Sequence, residues 1–318
     1  MNQQHSSRRI GFEIEYTGLS IEQSAMNIQS HFGGKLVPIN KDTLHIDTDA
    51  GQFRVELDVH FMKNLSNMSV KNLEKDKIDI EGAITNLVRP AISAVMPVEI
   101  VTPPLNESDF NKLDQLVTSL RLAGAKGTNA AIHYAFGLHI NPELKDFSSK
   151  TILNHMRAYA LLYDYIHSTS KMDITRIASR FAKNYSYEYL KLILDEAYQP
   201  SLKELMLDYI NYANSRNYAL DCYPLFMFLD KPLIKKHITD PLINPRPTFH
   251  FRLLNSMIDV PNWNISHAFK YWRIIEQLAN NPKLLQNMSI KFLSERHPLG
   301  PLFSKKWSSL TKQYLEEL

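Results

Sequence analysis

Cysteine is almost absent from this chain of 318 residues, in which Cys222 is the single example. One cysteine excludes an intrachain disulfide bond and fits a reducing compartment. We interpret Cys222 as a small buried hydrophobic residue rather than a reactive thiol. The sequence therefore predicts a cytoplasmic protein without disulfide bridges.

Long apolar runs and an excess of one charge are also missing. The most apolar stretches, near residues 91–101 and 223–229, are interrupted or too short to cross a bilayer. An export signal needs an apolar run near the N-terminus, where this chain carries Glu13 and Glu15. Lys and Arg number 36 and Asp and Glu number 33, which gives a net charge of +3. We therefore expect no export signal, no membrane partner and no nucleic-acid partner.

Residues 8–16 predict a strand with one apolar and one acidic face. In an extended chain, side chains two residues apart point to the same side, about 7 Å from each other. Glu13 and Glu15 therefore project together, while the opposite face is apolar. The residues of this apolar face are Ile10, Phe12, Ile14 and Tyr16. Carboxylates beside a core are costly unless a cation or hydrogen-bond donors compensate them, so a solvated sheet face and a metal site are the two interpretations.

Polar residues interrupt several later strand-like segments as well. A hairpin is predicted from segments 43–47 and 52–61, and further strands from 95–102, 132–142 and 248–256. The polar residues selected because they interrupt apolar runs in these strands are Glu13, Glu15, Glu56, Asp58, Glu99, His139, His250 and Arg252. If the strands share one sheet, carboxylates and imidazoles converge as ligands for divalent ions, and the arginine meets the phosphates that such ions bring.

Helical periodicity marks the rest of the chain. Helices are predicted after Ser20 and Asn106, near residues 265–280 and 303–318, and over a helical region from about 148 to 230. The tyrosines of that region have the spacing of core and interface residues. Strands and helices together predict an α+β fold.

Five motifs follow one another in an order that resembles a known family. They are Gly11-Phe12-Glu13-Ile14-Glu15, Phe53-Arg54-Val55-Glu56-Leu57-Asp58, Val98-Glu99-Ile100-Val101-Thr102-Pro103-Pro104, Gly137-Leu138-His139-Ile140, and Phe251-Arg252 with Asn255. This order resembles the amidoligase family, which belongs to the carboxylate-amine ligase superfamily of glutamine synthetase and glutamate-cysteine ligase. The resemblance covers about residues 8–141 and 246–256 and leaves out the helical region between them.

The resemblance implies a fold and a set of site residues. The fold is a curved, mostly antiparallel sheet of the glutamine synthetase type with packed helices, in one catalytic domain over residues 1–318 with a helical elaboration at about 148–230. The implied metal ligands are Glu13, Glu15, Asp58, Glu99 and His139, with His250 at a further metal position. Arg252 matches the arginine that meets the transferring phosphate, and Arg246 and Asn255 are further nucleotide-binding candidates. Arg246 is equally well interpreted as a surface arginine of a proline-rich linker.

Two positions depart from the family pattern. Where the family has a glutamate two residues before the arginine, this chain has His250, and where it has a second histidine, this chain has Asn141. Histidine is a poorer ligand than carboxylate for magnesium but suits manganese or zinc. We therefore expect a shifted metal preference or a weakened activity.

The implied reaction is an ATP-dependent condensation of a carboxylate with an amine through an acyl phosphate, with Mg²⁺ or Mn²⁺ as the metal. The substrates are a small-molecule or peptide carboxylate and an amine. The expected catalytic residues are Arg252, Glu15 and Glu56, and the general base is left open between Glu56 and His133. A family member that binds nucleotide and metal without ligating, and a metal-dependent hydrolase, are the two alternatives. The oligomeric state is left open.

Overall fold

The computed structural model describes residues 8–57, 97–128, 136–170, 182–295 and 301–316. The strands of these residues are β1 (Ile10–Tyr16), β2 (Lys35–Asn40), β3 (Thr43–Thr48), β4 (Gly51–Leu57), β5 (Val98–Val101), β6 (Gly137–Pro142), β7 (Leu220–Asp221) and β8 (His250–Asn255). Within the described residues they form an open, mostly antiparallel sheet of eight strands in the order β2-β3-β4-β5-β1-β6-β8-β7. The predicted mixture of helices with an antiparallel sheet is therefore confirmed, and its glutamine synthetase type stays a prediction.

Helices make up most of the remaining described chain. They are α1 (Ile21–Phe32), α2 (Phe110–Leu122), α3 (Ser149–Thr169), α4 (Tyr187–Leu194), α5 (Leu202–Tyr212), α6 (Tyr223–Leu229), α7 (Lys231–His237), α8 (Ile265–Ala279), α9 (Pro282–Leu293) and α10 (Pro301–Leu315). A short 3-10 helix at Glu107–Asp109 precedes α2. None of the helices in the described part of the chain has both the length and the apolar character required to cross a membrane.

The described residues divide into two compact units. The first unit comprises Arg9–Leu138 and Asn255–His267, and the second comprises Met1–Arg8, His139–Leu254 and Ala268–Leu318, in each case for the residues that are described. The first unit contains β1 to β5 with α1 and α2. The second contains α3 to α7, α9, α10 and β7, with most of β6, β8 and α8.

Strand β1 has the two faces that its sequence predicts. The apolar side chains of Ile10, Phe12, Ile14 and Tyr16 are completely buried. Helix α1 begins at the predicted capping box, in which Ser20 and Gln23 satisfy each other's backbone N–H groups, and Gly33 ends it. Burial of an apolar strand face and an apolar helix stripe accounts for the core of the first unit.

A threonine at the end of β5 fixes this strand against β1. The backbone N–H of Phe12 donates to Thr102 Oγ1 at 2.9 Å, and the N–H of Thr102 donates to the Phe12 carbonyl at 2.9 Å. Pro103 follows so close to the β3–β4 turn that a Cβ atom on Gly51 would lie 2.7 Å from the Pro103 Cβ, and Gly51 also has a positive φ of 118°. The Thr-Pro motif therefore has a structural role in setting the register of β5.

Helix α8 begins on a carboxylate from α2. Asp114 Oδ1 accepts the backbone N–H groups of Ile265 and Ser266 at 2.8 and 3.1 Å, and Asp114 Oδ2 accepts the Ser266 hydroxyl at 2.5 Å. The side chain thus satisfies two donors that a helix N-terminus leaves without an intrahelical partner.

We expect Asp114→Ala to lower the free energy of unfolding by about 1–2 kcal/mol, because it removes this cap. Asp114→Asn, which keeps one acceptor oxygen, should cost less. Urea unfolding of the two variants against wild type measures the difference. Equal stability of wild type and Asp114→Ala would show that the cap contributes nothing.

The helical region from 148 to 230 differs from its prediction in one respect. The region from 148 to 230 is largely helical, and its capping box at Ser201 and Glu204 is present, but the strand β7 interrupts it. Two residues are too few to give a strand periodicity in the sequence, and β7 becomes recognisable through its antiparallel pairing with β8. The buried tyrosines at 159, 185, 189 and 209 pack edge-to-face in the core, as their spacing predicts.

Candidate metal site

Three glutamates lie side by side across the strands of the first unit. In the register of the sheet, Glu15 of β1 faces Glu99 of β5, and Glu99 in turn faces Glu56 of β4. Residues directly opposite in antiparallel strands project to the same face, with Cβ atoms about 5 Å apart. Carboxylate oxygens of Glu15 and Glu99 approach within 4.8 Å. Like charges in this position destabilise a sheet, and a bound cation would reverse that cost.

Glu13 and Glu15 occupy different surroundings although they share one face of β1. Glu13 is 6% exposed, whereas Glu15 is only partly buried. A backbone N–H, that of Gly137 at the start of β6, donates to Glu15 Oε2 at 2.6 Å. This bond fixes the Glu15 carboxylate, and the Gly137-Leu138-His139 motif therefore helps to position an acid of β1.

Glu56 lies in the glutamate row but is engaged in an ion pair. Arg54 Nε is 3.0 Å from Glu56 Oε2, and the Arg54 side chain is 45% exposed. Both residues are on β4 and two positions apart, so they share its outer face. This ion pair neutralises one of the three carboxylates. Glu99 lies between Glu15 and Glu56, so Glu56 is at the edge of the row.

The second unit contains two histidines in contact. The rings of His139 on β6 and His250 on β8 meet edge to face, with centroids 5.0 Å apart and planes at 74°. The two residues are 4% and 7% exposed. Asn141, at the position of the missing second histidine, is also buried. The histidine at position 250, where the family has a glutamate, thus places a second imidazole against His139.

An aspartate that the sequence analysis did not select lies behind His250. Asp221 faces His250 across the β7–β8 pair, and its Oδ2 is 3.7 Å from His250 Nδ1. Its other oxygen accepts the backbone N–H of Tyr223 at 2.9 Å. The sequence contains a signal that could have identified Asp221, because this residue interrupts the apolar run from Ala219 to Leu225 in the same way as the other acids interrupt their strands.

The predicted nucleotide-binding residues lie on or beside β8. The Arg252 guanidinium donates from Nη1 to the Arg216 carbonyl at 2.9 Å, which fixes one edge of its plane. Asn255, at the end of β8, is buried. Arg246 is partly buried, and its backbone N–H donates to the Pro224 carbonyl at 3.0 Å. Their binding of phosphate stays a prediction.

Each unit contributes donor atoms that suit a metal ion. In the first unit, carboxylate oxygens of Glu15 and Glu99 lie within 4.8 Å of each other, and in the second unit the same holds for ring nitrogens of His139 and His250. The assignment of Glu13, Glu15, Glu99, His139 and His250 as metal ligands stays a prediction. The predicted ligand Asp58 and the candidate base His133 lie outside the described residues.

Two further titratable side chains, Cys222 and His155, are buried core residues. Burial raises the pKa of the Cys222 thiol, which keeps it protonated and confirms its interpretation as a core residue. Burial also lowers the pKa of His155, whose ring is stacked against Trp272 with centroids 6.1 Å apart. Neither residue is among the donors described above.

The described residues form a protein of mixed helices and antiparallel strands, with acidic side chains on the strands of the first unit and imidazoles on those of the second. The model of the family described as "Putative amidoligase enzyme" matches residues 6–274. The chain belongs to this family, as its five motifs predict, and the family points to an enzyme of the ligase class. No curated protein and no solved structure matches the chain.

Proposed function

We propose that this protein is an ATP-dependent carboxylate-amine ligase that forms an amide or isopeptide bond through an acyl phosphate. The observation that carries the proposal is a row of neighbouring carboxylates on the strands of the first unit and a pair of buried imidazoles on the strands of the second. Membership in the amidoligase family supplies the reaction class. The substrates are a small-molecule or peptide carboxylate and an amine.

The donor set fits divalent metal ions. Carboxylate oxygens such as those of Glu15 and Glu99 are the ligands that Mg²⁺ prefers, and imidazoles such as those of His139 and His250 add affinity for Mn²⁺. Glu13, Glu15, Glu99, His139 and His250 would hold the ions, with Asp58 as a further ligand implied by the family motif. When bound, the ions neutralise phosphate oxygens and align the γ-phosphate for in-line transfer.

Arg252 and its neighbours are assigned to the nucleotide. The bond from Arg252 Nη1 to the Arg216 carbonyl holds the guanidinium plane, so that less side-chain freedom is lost when phosphate binds. Arg252 then stabilises the charge that spreads over the transferring phosphoryl group. Arg246 is a second candidate for phosphate, and Asn255 completes the nucleotide-binding set.

The reaction balances as two displacements. An oxygen of the substrate carboxylate attacks the γ-phosphorus, the bond from this phosphorus to the β–γ bridging oxygen breaks, and ADP leaves. The amine then attacks the acyl carbon, and the C–O bond to phosphate breaks to give the amide and inorganic phosphate. Glu56 is a candidate base for the proton of the amine, as is His133.

An isotope experiment tests this mechanism. The protein is incubated with Mg-ATP or Mn-ATP and a panel of ¹⁸O-labelled amino acids and short peptides, with hydroxylamine as the trapping amine. Because the attacking oxygen stays on phosphorus, released phosphate should carry one ¹⁸O from the carboxylate, and a hydroxamate should form together with ADP.

The alternatives give other products. Formation of AMP and pyrophosphate would indicate that the intermediate is an acyl adenylate and not an acyl phosphate. Nucleotide binding without turnover on any member of the panel would indicate a binding protein. Metal-dependent hydrolysis without nucleotide would indicate a hydrolase and would overturn the proposal.

A further inference from the structure

We infer that Asp221 is a positioning residue that orients the His250 imidazole for metal binding and thereby favours Mn²⁺ or Zn²⁺ over Mg²⁺. The inference rests on the metal site of the proposed function. It concerns a residue outside the family motifs, in a strand of only two residues. Its basis lies within the second unit, in the contacts of Asp221, His250 and the tyrosines around β7.

Asp221 divides its two oxygens between two donors. Oδ1 accepts the Tyr223 backbone N–H at 2.9 Å, which fixes the rotation of the carboxylate, and Oδ2 lies 3.7 Å from His250 Nδ1. Asp221 is 2% exposed. A carboxylate buried to this degree is costly without a strong partner, and the imidazole directly opposite it in the sheet is such a partner.

The strand that carries Asp221 is held rigidly on both sides of this residue. The hydroxyls of Tyr185 and Tyr209 donate to the Leu220 carbonyl at 2.9 and 3.4 Å. The Cys222 backbone N–H donates to the Tyr209 hydroxyl at 3.1 Å. Asp221 therefore sits between two residues whose backbones are fixed by buried phenols, and its position does not depend on the short β7–β8 pairing alone.

The position of Asp221 Oδ2 favours one tautomer of His250. In the tautomer with its hydrogen on Nδ1, this hydrogen faces the Asp221 carboxylate and the lone pair of the neutral ring lies on Nε2. A carboxylate behind a ligating imidazole fixes the orientation of the ring. Because imidazole nitrogen suits Mn²⁺ and Zn²⁺ better than Mg²⁺, the pair shifts the site toward the softer ions.

Metal binding by the full chain without nucleotide tests the inference. Calorimetry with Mn²⁺, Zn²⁺ and Mg²⁺ should show a 10- to 100-fold weaker Mn²⁺ and Zn²⁺ affinity for Asp221→Asn than for wild type, with a smaller effect on Mg²⁺. Asparagine keeps the acceptor for the Tyr223 N–H and is close in size, so the fold should be retained. The matched control is Asp208→Asn. This aspartate of α5 also accepts a hydrogen bond, from the Tyr198 hydroxyl at 2.6 Å, but it lies outside the proposed site, so its replacement should leave metal affinity unchanged.

A double-mutant cycle separates positioning from a general structural effect. In a His250→Gln background, Asp221→Asn should cause no further loss of Mn²⁺ affinity, because the residue acts through the imidazole. In ¹⁵N-histidine spectra of the metal-free protein, the signals of His250 are assigned as those that the His250→Gln variant lacks. Their chemical shifts should show the tautomer with the hydrogen on Nδ1. Asp221→Asn should change the population of this tautomer.

The outcomes distinguish this inference from the proposed function. Wild-type binding of Mn²⁺ with no change on Asp221→Asn, or an equal loss in the His250→Gln background, would overturn the role of Asp221 and leave the ligase proposal in place. No binding of any divalent ion by the wild-type chain would overturn both.

Discussion

Glu15→Gln is expected to lower the rate of nucleotide turnover about 100- to 1000-fold while leaving the fold intact. The substitution removes the charge of a carboxylate that is placed opposite Glu99. It keeps the size of the side chain and an oxygen that accepts the Gly137 N–H. Stability should therefore be unchanged or slightly higher, since the repulsion between two adjacent carboxylates is relieved.

The measurement pairs ADP release with Mn²⁺ or Mg²⁺ affinity, so that lost turnover is traced to lost metal. Glu188→Gln is the matched control, because this exposed glutamate lies on α4, outside the strands, and its replacement should change neither quantity. Turnover at the wild-type level in Glu15→Gln would remove Glu15 from the site.

Phe12→Ala is expected to lower the free energy of unfolding by about 3–5 kcal/mol. Phe12 is completely buried on the apolar face of β1, and its ring meets Phe110 edge to face with centroids 5.3 Å apart. Truncation to alanine removes this contact and leaves a cavity beside the strand that carries Glu13 and Glu15.

Urea unfolding of the full chain measures the effect. Phe12→Leu should cost no more than about 1.5 kcal/mol, because most of the apolar volume is kept. Leu122→Ala, at an 82% exposed position on α2 in the same unit, should change stability by less than about 0.5 kcal/mol. A loss below 1 kcal/mol for Phe12→Ala would show that this face of β1 does not stabilise the core.

Alternation along single strands made much of the first unit predictable. The pattern of residues 8–16 contains both the buried face and the acidic face of β1, and the capping box of α1 is a local signal over four residues. Motif order supplied the family. The β3–β4 hairpin was also predicted, because its pairing is local. The pairing of β1 with β5 was not, because the facing of Glu15 by Glu99 depends on a long-range register that no local pattern encodes.

Long-range pairing also limited what could be predicted for the helical region. Its long helices follow from periodicity, but Asp221 gains its significance only from pairing with His250 in β8, far along the chain. The short helix α7, just beyond this region, was missed as well, since seven residues are too few to establish a helical period. Ion pairs such as that of Arg54 with Glu56 also depend on rotamers rather than on sequence spacing.

The location of β7 places the residues around His250 in one continuous part of the chain. The segment between β6 and β8 contributes Asp221 together with the phenols that hold β7. Replacement of this segment as a unit would therefore exchange Asp221 at the same time as the helices. If Asp221 orients His250 as proposed, a chimeric protein made in this way would change its metal preference without any change in the five strand motifs.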